Sequence, residues 1–302
     1  MEVKDAYQAV LKEVKKKIAG KNEVIELMFV GLIADGNVLL EGVPGVAKTT
    51  MAKTLADVVQ ASFGRVQGTP DLEYSDIVGH TYIDESHEVK LKKGPIFNNI
   101  FLIDELNRMP AKTTTALLES LEERQVSIAD HDVALPKPFM AVATQNPLSI
   151  EGTNPLPKVL ADRFLMRIGV DYPSMEEEQE MLRIKESEEQ VKLNKILTTD
   201  QIIKAQEKVK LVKMPDEVIN YITRIVGASR SDIHVVMGGS PRAEISFMRC
   251  GKARALINGR DTVEKEDIKM LTRAVLSHRI AVRSTGGIGV NGIIDGITAS
   301  VR

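Results

Sequence analysis

The chain has 302 residues, of which 43% are hydrophobic and 27% are charged, and its formal net charge is −2. This balance is typical of a globular protein with about two domains, and it excludes a strongly basic chain built to bind nucleic acid. The only cysteine, Cys250, excludes an intrachain disulfide and fits a reducing compartment, so we expect a cytoplasmic protein in which this thiol is buried. We expect neither a signal peptide nor a membrane segment, because the longest apolar stretch, residues 24–34, is too short to cross a bilayer.

Two helices are predicted before the first strand. Apolar residues recur at helical spacing on one face of residues 3–18, and a second helix is predicted over residues 22–34. The apolar run at residues 38–40 then predicts a strand that ends in a glycine-containing turn.

This turn has the form of a phosphate-binding loop between a strand and a helix. Its glycines allow backbone N–H groups to converge on a phosphate, and the N-terminus of the following helix adds a positive dipole end. We predict that Lys48 reaches the β- and γ-phosphates and that the Thr49 hydroxyl holds Mg²⁺. An ordinary glycine turn is the alternative. The residues predicted to surround the phosphates are Gly42, Val43, Pro44, Gly45, Val46, Ala47, Lys48, Thr49 and Thr50.

Ala47 departs from the consensus loop, which has glycine directly before the lysine. Only the backbone must approach the phosphate here, so alanine is tolerated if its φ angle stays negative. We therefore expect a negative φ at Ala47.

A long, turn-rich segment, residues 68–98, follows a second predicted strand at residues 63–67. Within it, residues 82–83 and 89–91 could form a small hairpin. A loop of this length inside a compact domain is usually functional.

Residues 99–105 predict a buried parallel strand that ends in two carboxylates. The C-terminal edge of the strands in an open α/β sheet is where ligands bind. We predict that Asp104 belongs to the Mg²⁺ shell and that Glu105 polarises an attacking water. A solvated acidic turn is the alternative, which the phosphate-binding loop upstream disfavours.

Residues 139–144 predict another buried strand, which ends just before Asn146. An amide here could orient the water that Glu105 activates, while a simple turn is the common alternative for asparagine before proline. Between these strands, residues 112–123 predict a helix and residues 125–135 predict a hairpin.

Beyond a boundary predicted at residues 171–174, the chain is helical by pattern. Ser240 is the expected N-cap of one helix, which places Arg242 in the first turn, where a cation opposes the helix dipole. We expect an anion that compensates the charge of Arg242, and a nucleotide phosphate could be that anion. The glycine-rich residues 284–302 are expected to form a loosely attached tail. The predicted helices cover residues 175–188, 199–209, 215–229, 241–258 and 264–282.

Together, these residues resemble the MoxR branch of the AAA+ ATPases. The resemblance covers roughly residues 5–282, and alanine directly before the Walker lysine is typical of MoxR proteins. Its most specific segments are Gly42-Val-Pro-Gly-Val-Ala-Lys-Thr49, Thr69-Pro-Asp-Leu72, Gly94-Pro-Ile-Phe-Asn-Asn-Ile-Phe-Leu-Ile-Asp-Glu-Leu-Asn-Arg108, Ala143-Thr-Gln-Asn-Pro147, Asp162-Arg-Phe164 and Gly239-Ser-Pro-Arg-Ala243.

The resemblance implies an α/β fold of the P-loop AAA+ type. Its core, over residues 1–172, would be a three-layer α/β/α arrangement with a parallel sheet, followed by a smaller all-α lid domain over residues 173–302. The core would carry a helix-2 insert at about residues 68–98 and a pre-sensor hairpin at about residues 125–135. Both usually face the pore of a ring and its substrate.

The resemblance also implies roles for single residues. Lys48 and Thr49 match Walker A, which binds ATP or ADP with Mg²⁺, and Asp104 and Glu105 match Walker B.

Three further positions match motifs that complete such a site. Asn146 matches sensor 1, Arg163 matches the arginine finger that reaches the γ-phosphate of the neighbouring subunit, and Arg242 matches sensor 2 in the lid. The adenine would lie near Ile18 and Gly20.

The function that the resemblance implies is Mg²⁺-dependent ATP hydrolysis by a ring, expected to be a homo-hexamer. Such a ring would act as a chaperone that remodels or matures partner proteins, among them proteins with von Willebrand factor A domains. An MCM-like DNA-dependent motor is one alternative, which the near-neutral charge disfavours. A nucleotide-gated scaffold that does not hydrolyse ATP is another, disfavoured by the intact Glu105, Asn146 and Arg163.

Overall fold

The computed structural model describes residues 2–85, 87–128, 131–147, 156–187, 191–283 and 289–301. In chain order, the first part forms α1 (Val3–Val14), α2 (Asn22–Ile33), β1 (Val38–Glu41), α3 (Lys48–Val58), β2 (Phe63–Gln67), α4 (Tyr74–Val78), β3 (Gly79–Ile83), β4 (Val89–Lys93), β5 (Ile100–Asp104), α5 (Ala111–Glu123), β6 (Gln125–Ile128), β7 (His131–Ala134), β8 (Met140–Gln145), α6 (Lys158–Ala161) and β9 (Met166–Gly169). The second part forms α7 (Met175–Ser187), α8 (Thr199–Leu211), α9 (Asp216–Ser231), β10 (Val235–Met237), α10 (Pro241–Ile257), α11 (Lys265–Leu276), β11 (Ala281–Val282) and α12 (Val290–Ser300).

Five parallel strands form the central sheet, in the order β2-β5-β8-β1-β9. The residues of β1, β5 and β8 are almost all buried, because helices cover both faces, as is usual for a parallel sheet. Alternate residues of β1 show the two faces: Val38 and Leu40 pack in one hydrophobic cluster with α1, α2 and α3, whereas Leu39 packs in another with α4 and α5. The predicted three-layer core is therefore confirmed.

The parallel strands give the sheet two distinct edges. Their C-terminal ends meet at what we call the carboxyl edge, and their N-terminal ends meet at what we call the amino edge. The four residues of β1 alone separate the two edges by about 13 Å. The carboxyl edge comprises residues 41–48, 104–105 and 145–147, and the amino edge comprises residues 35–37, 139 and 162–165.

Two short antiparallel ribbons project from the core at the positions where the sequence predicts hairpins. One pairs β3 with β4, and the other pairs β6 with β7. The loop residues 86, 129 and 130 lie outside the described residues. The helix α4, which precedes β3, was not predicted, because its five residues are too few to show helical spacing.

The helices α7 to α12 follow the sheet and form the lid. The fold class is confirmed, and the structure adds one detail, a small antiparallel ribbon of β10 and β11. The helix predicted over residues 264–282 ends at Leu276, because the chain then turns and enters β11. The division of the chain at residue 172 remains a prediction.

The expectation of a loosely attached tail was wrong for residues 289–301. These residues form α12, which packs against α9 and α11 and buries Ile293, Ile294 and Ile297. Glycines concealed this apolar face, because they lower helix propensity without changing the spacing of the isoleucines. Residues 284–288 lie outside the described residues.

Two further expectations concerned the burial of Cys250 and the presence of a membrane-spanning helix. Cys250 is fully buried in α10, and this burial raises the pKa of its thiol to about 12, so the group stays protonated. Across the described ranges, every helix falls short of the length or the apolar character that a bilayer crossing requires.

Candidate active site

The loop between β1 and α3 has a strained backbone directly before the helix. Gly45 has a φ of +86°, a conformation that favours glycine, and Ala47 has a φ of +62°. The expected negative φ at Ala47 was therefore wrong. A left-handed alanine costs about 1–2 kcal/mol, so the surrounding loop must hold it in place.

The Lys48 side chain lies inside this loop. Its Nζ donates to the carbonyl oxygens of Gly42 (2.5 Å) and Val43 (2.8 Å). Burial lowers the pKa of Lys48, while the nearby carboxylates of Asp104 and Glu105 act in the opposite direction. A bound phosphate would give this ammonium a charged partner at the loop.

Asp104, at the end of β5, gathers three donors from three elements. Its Oδ2 accepts from the Thr49 hydroxyl (3.1 Å) and from Arg65 Nη2 (2.8 Å), and its Oδ1 accepts from the Thr144 hydroxyl (2.7 Å). The hydroxyl of Thr49 and the carboxylate of Asp104 are hard oxygen ligands of the kind that Mg²⁺ prefers. The residues present therefore fit the predicted metal.

Glu105 follows in a left-handed conformation, with a φ of +57°. Its backbone N–H donates to the Thr144 hydroxyl (2.8 Å), and its carboxylate pairs with Arg108 (2.7 Å). Thr144 thus accepts from the backbone of Glu105 and donates to the carboxylate of Asp104, and it fixes the two acids relative to each other.

Sequence reasoning missed Thr144 and Arg65. Thr144 is a polar residue at the buried end of β8, and a signal was present because a buried hydroxyl needs partners. Arg65 lies on β2, and only the strand order, which places β2 beside β5, shows that it reaches Asp104.

A cavity of about 540 Å³ opens at the carboxyl edge, within the size range of ligand sites. Loop residues 44–50 and the acids Asp104 and Glu105 form one side of it, together with Asn146 at the end of β8. Ile18, Met181 and Ile184 add apolar side chains to the lining, together with the charged residues Lys17, Lys21, Glu177 and Lys185. Apolar side chains and the phosphate-binding loop therefore line one cavity.

Three residues that were predicted to contact the nucleotide, Gly20, Gly42 and Val43, do not line the cavity but support residues that do. Gly42 and Val43 supply the carbonyl oxygens that hold Lys48. Gly20 has a φ of +61°, and a Cβ there would lie 1.8 Å from the carboxylate of Glu177. That carboxylate accepts from the backbone N–H of Lys21 (3.4 Å) and pairs with its Nζ (3.5 Å), so Gly20 allows α7 to lie close to α2.

The structure places Arg163 and Arg242 away from this cavity, at the amino edge. The N–H of Leu165, two residues beyond Arg163, donates to the carbonyl of Asn37, which precedes β1. Arg242 Nη2 binds Glu122 Oε1 (2.6 Å), and Arg163 Nε lies 3.5 Å from the other oxygen of the same carboxylate. The anion that compensates Arg242 within the chain is thus Glu122.

Arg163 is incompletely paired within the described part of the chain. Its Nε and Nη1 atoms are buried there without a hydrogen-bond partner. Its Nη2 also lies 4.0 Å from Glu119, so two carboxylates are near the guanidinium but do not satisfy its buried donors. Buried donors without hydrogen bonds are costly, so this side chain is suited to bind a further anion.

The strand order, the phosphate-binding loop, the paired acids at the end of β5 and the helical lid together define the AAA+ class of P-loop proteins. The model of the ATPase family associated with various cellular activities (AAA) matches residues 37–166, and the model of the AAA lid domain matches residues 227–287.

Similar proteins identify the family within the AAA+ class to which the chain belongs. Chaperone MoxR1 of Mycobacterium tuberculosis is 41% identical over 281 residues, which cover 89% of this chain and 74% of that protein. The uncharacterized protein YeaC of Bacillus subtilis is 38% identical over 297 residues, 97% of this chain and 93% of that protein. The crystal structure of a proposed ATPase from Cytophaga hutchinsonii superposes with a TM-score of 0.91 at 36% identity and covers 99% of this chain and 95% of that one. The chain belongs to the MoxR family of AAA+ ATPases.

Proposed function

We propose that this chain hydrolyses ATP with Mg²⁺ and does so in a ring of identical subunits, expected to be a hexamer. One observation carries the proposal: the groups suited to the reaction are divided between the two edges of one sheet. The acids and the phosphate-binding loop lie at the carboxyl edge, whereas Arg163 and Arg242 lie at the amino edge.

At the carboxyl edge, the side chains bind and orient the reactants. Lys48 and the loop N–H groups would bind the phosphates, and Asn146 would orient the water. Glu105 would accept the proton of that water as it attacks the γ-phosphate. Thr49 and Asp104 would hold Mg²⁺, which supplies neutralising charge to the phosphates when bound.

The amino edge would complete the site of the next subunit. Arg163 and Arg242 line a cavity with Gly36 and Asn37 at the N-terminal end of β1. Their own phosphate-binding loop follows the C-terminal end of this strand, about 13 Å away, which is too far to reach without rearrangement. A head-to-tail contact between the two edges would bring them to a neighbour's γ-phosphate and would close into a ring. A trans arginine accelerates phosphoryl transfer by about 10³–10⁵ in related systems.

We also propose that the ring acts on proteins. The ribbon of β3 and β4 exposes Tyr82, Ile83 and Val89, and apolar residues at such tips suit contacts with a protein client. The relative named Chaperone MoxR1 supports this assignment. Clients with a von Willebrand factor A domain and a cytoplasmic location remain part of the proposal, and nucleic acid is not an expected partner.

The test is ATP turnover by Glu105→Gln beside nucleotide binding. We expect turnover to fall by about 10²–10⁴, because the proton acceptor is lost, while nucleotide affinity changes little. Wild-type protein that binds ATP but does not turn it over at any concentration would support the scaffold alternative instead. Stimulation of turnover by DNA, with a steep salt dependence, would support a DNA-dependent motor.

A further inference from the structure

We propose that Arg279 of the lid is a positioning residue for Arg163, and that it acts through Asp162 and the backbone on both sides of the finger. This inference rests on the proposed function, since it concerns how one subunit presents Arg163 to the next. Arg279 follows α11 and is almost fully buried, whereas the finger lies on the loop between α6 and β9.

The guanidinium of Arg279 contacts the residues that flank the finger. Its Nε donates to Asp162 Oδ1 (2.6 Å), directly before Arg163. Its Nη2 donates to the carbonyl of Phe164 (2.7 Å), directly after it, and its Nη1 lies 3.3 Å from the carbonyl of Leu165. The planar fork of arginine therefore holds the finger loop at several points in one fixed geometry.

The remaining donors of Arg279 fix the guanidinium to the lid itself. Nη1 donates to the carbonyl of Val275 in α11 (2.6 Å), and Nη2 donates to the hydroxyl of Ser246 in α10 (2.9 Å). The finger loop is thus bound to a group whose own position is set by two lid helices. A change in the orientation of the lid would change the direction of Arg163.

Asp162 extends this link to the second cation of the amino edge. Its Oδ2 accepts from the hydroxyl of Ser240 (2.9 Å), which is the residue before the first turn of α10. Arg242 lies in that turn and shares Glu122 with Arg163. One carboxylate, Asp162, therefore connects the supports of both arginines that the amino edge would offer to a neighbour.

A buried ion pair is weak evidence for stability, because well-packed apolar residues often replace one at no cost. The geometry of the Arg279–Asp162 pair gives a stronger reason to assign it a role in function. A misplacement of about 1 Å in a reacting group can lower a rate by about 10²-fold, and the contacts of Arg279 control the position of the finger loop directly.

The experiment measures ATP turnover in rings that contain two different variant subunits. Lys48→Ala subunits lack the phosphate-binding lysine but keep Arg163, so they supply the finger without turning over ATP. Arg279→Gln subunits keep their own phosphate-binding loop and lose the support of the finger. Alone, Arg279→Gln rings should hydrolyse ATP about 10²-fold more slowly, with a nucleotide affinity within about twofold of wild type.

The expected result is rescue. In an excess of Lys48→Ala subunits, activity per Arg279→Gln subunit should rise at least about tenfold, because intact fingers then face its sites. Arg260→Gln is the matched control. It removes two bonds to the buried carboxylate of Asp267 (2.7 and 2.6 Å) near the start of α11, at the opposite end of this helix from Arg279, and should leave turnover near wild type.

The other outcomes of the experiment would overturn the inference or the proposed function. Full activity of Arg279→Gln alone, or lost activity that Lys48→Ala does not rescue, would overturn it. If Arg279→Gln does not fold, Ser240→Ala and Asp162→Asn replace it, and the absence of a rescuable loss in both would overturn the inference equally. An Arg163→Ala ring that Lys48→Ala fails to rescue would instead refute the finger in trans, and with it the proposed function.

Discussion

The two edges of the central sheet differ in what holds their functional side chains. At the carboxyl edge, the strand ends and the loop between β1 and α3 fix the groups, and they partner one another: Asp104 binds Thr49 and Thr144. At the amino edge, Arg279 of the lid binds the loop that carries Arg163.

In the proposed function, this difference would leave the active site of a single subunit incomplete. The carboxylates of the carboxyl edge have partners within the chain, whereas two buried donors of Arg163, Nε and Nη1, make no hydrogen bond among the described residues, although the guanidinium lies within ion-pair distance of Glu119 and Glu122. In the proposed function, the carboxyl edge would hold the nucleotide and the amino edge would be presented to a second copy. The following changes test this contrast, from the largest expected effect to the smallest.

The largest effect is expected at the amino edge. Arg163→Ala should lower turnover by about 10³–10⁵, because the charge that stabilises the transition state in the neighbour is lost. Nucleotide affinity should stay unchanged, since the cavity is not touched. Steady-state hydrolysis and nucleotide titration measure both, with Lys210→Ala, an exposed lysine of α8 paired with Glu207, as control. Equal losses in both variants would contradict the contrast.

At the carboxyl edge, Thr144→Val should lower turnover by about 10–100-fold. The change leaves a buried oxygen of Asp104 without its donor and the N–H of Glu105 without its acceptor, a cost of about 1–3 kcal/mol. Thr144→Ser keeps the hydroxyl and should retain most activity. Kinetics of the two variants side by side measure this, and equal activities would show that the hydroxyl is not needed.

The stability of the protein should depend on pH through His278, which contacts the loop that carries Arg163. Its Nε2 lies 3.1 Å from the carbonyl of Phe164, so the neutral ring donates there. Burial, with the cations Arg279, Arg167 and Lys158, lowers the pKa of His278 well below its usual value. The unfolded chain therefore binds the extra proton first as pH falls, and stability decreases below about pH 6.5 by about 1.4 kcal/mol per pH unit.

Denaturant unfolding between pH 7.5 and about pH 5.5 measures this dependence. The difference in slope between wild type and His278→Asn isolates the contribution of this ring from that of other titrating groups. A wild-type stability that falls no faster than that of the variant would remove His278 from the account.

The smallest effect is expected at Ala47. Ala47→Gly should raise the free energy of unfolding by about 0.5–1 kcal/mol, because it relieves the left-handed alanine at some entropic cost in the unfolded chain. Ala56→Gly, in the buried interior of α3, should lower it by about 1 kcal/mol or more. Thermal unfolding compares them, and a destabilising Ala47→Gly would show that the loop does not store strain.

Most of the carboxyl edge was predictable from sequence because each of its three parts is a contiguous motif, although Thr144 and Arg65 were missed. The loop with Lys48, the acids at residues 104–105 and the end of β8 are each short motifs attached to an apolar run. The φ of Ala47 was not predictable, because backbone strain is set by the surrounding structure and not by residue type.

The amino edge was predictable only in part. Resemblance supplied Arg163 and Arg242, but no local pattern links Asp162 to Arg279, which lies 117 residues further along the chain. Such a link appears only when the lid packs on the core. The burial of α12 was missed for a local reason instead, since its glycines lower helix propensity although its isoleucines keep helical spacing.

The most direct test of a site divided between subunits is ATP turnover against protein concentration, with particle mass measured in parallel. We predict that activity per subunit rises as assemblies form, and that Arg163→Ala assembles equally well but remains at least about 10³-fold less active. Activity per subunit that stays constant across the dilution series, with an Arg163→Ala protein as active as wild type, would contradict the account.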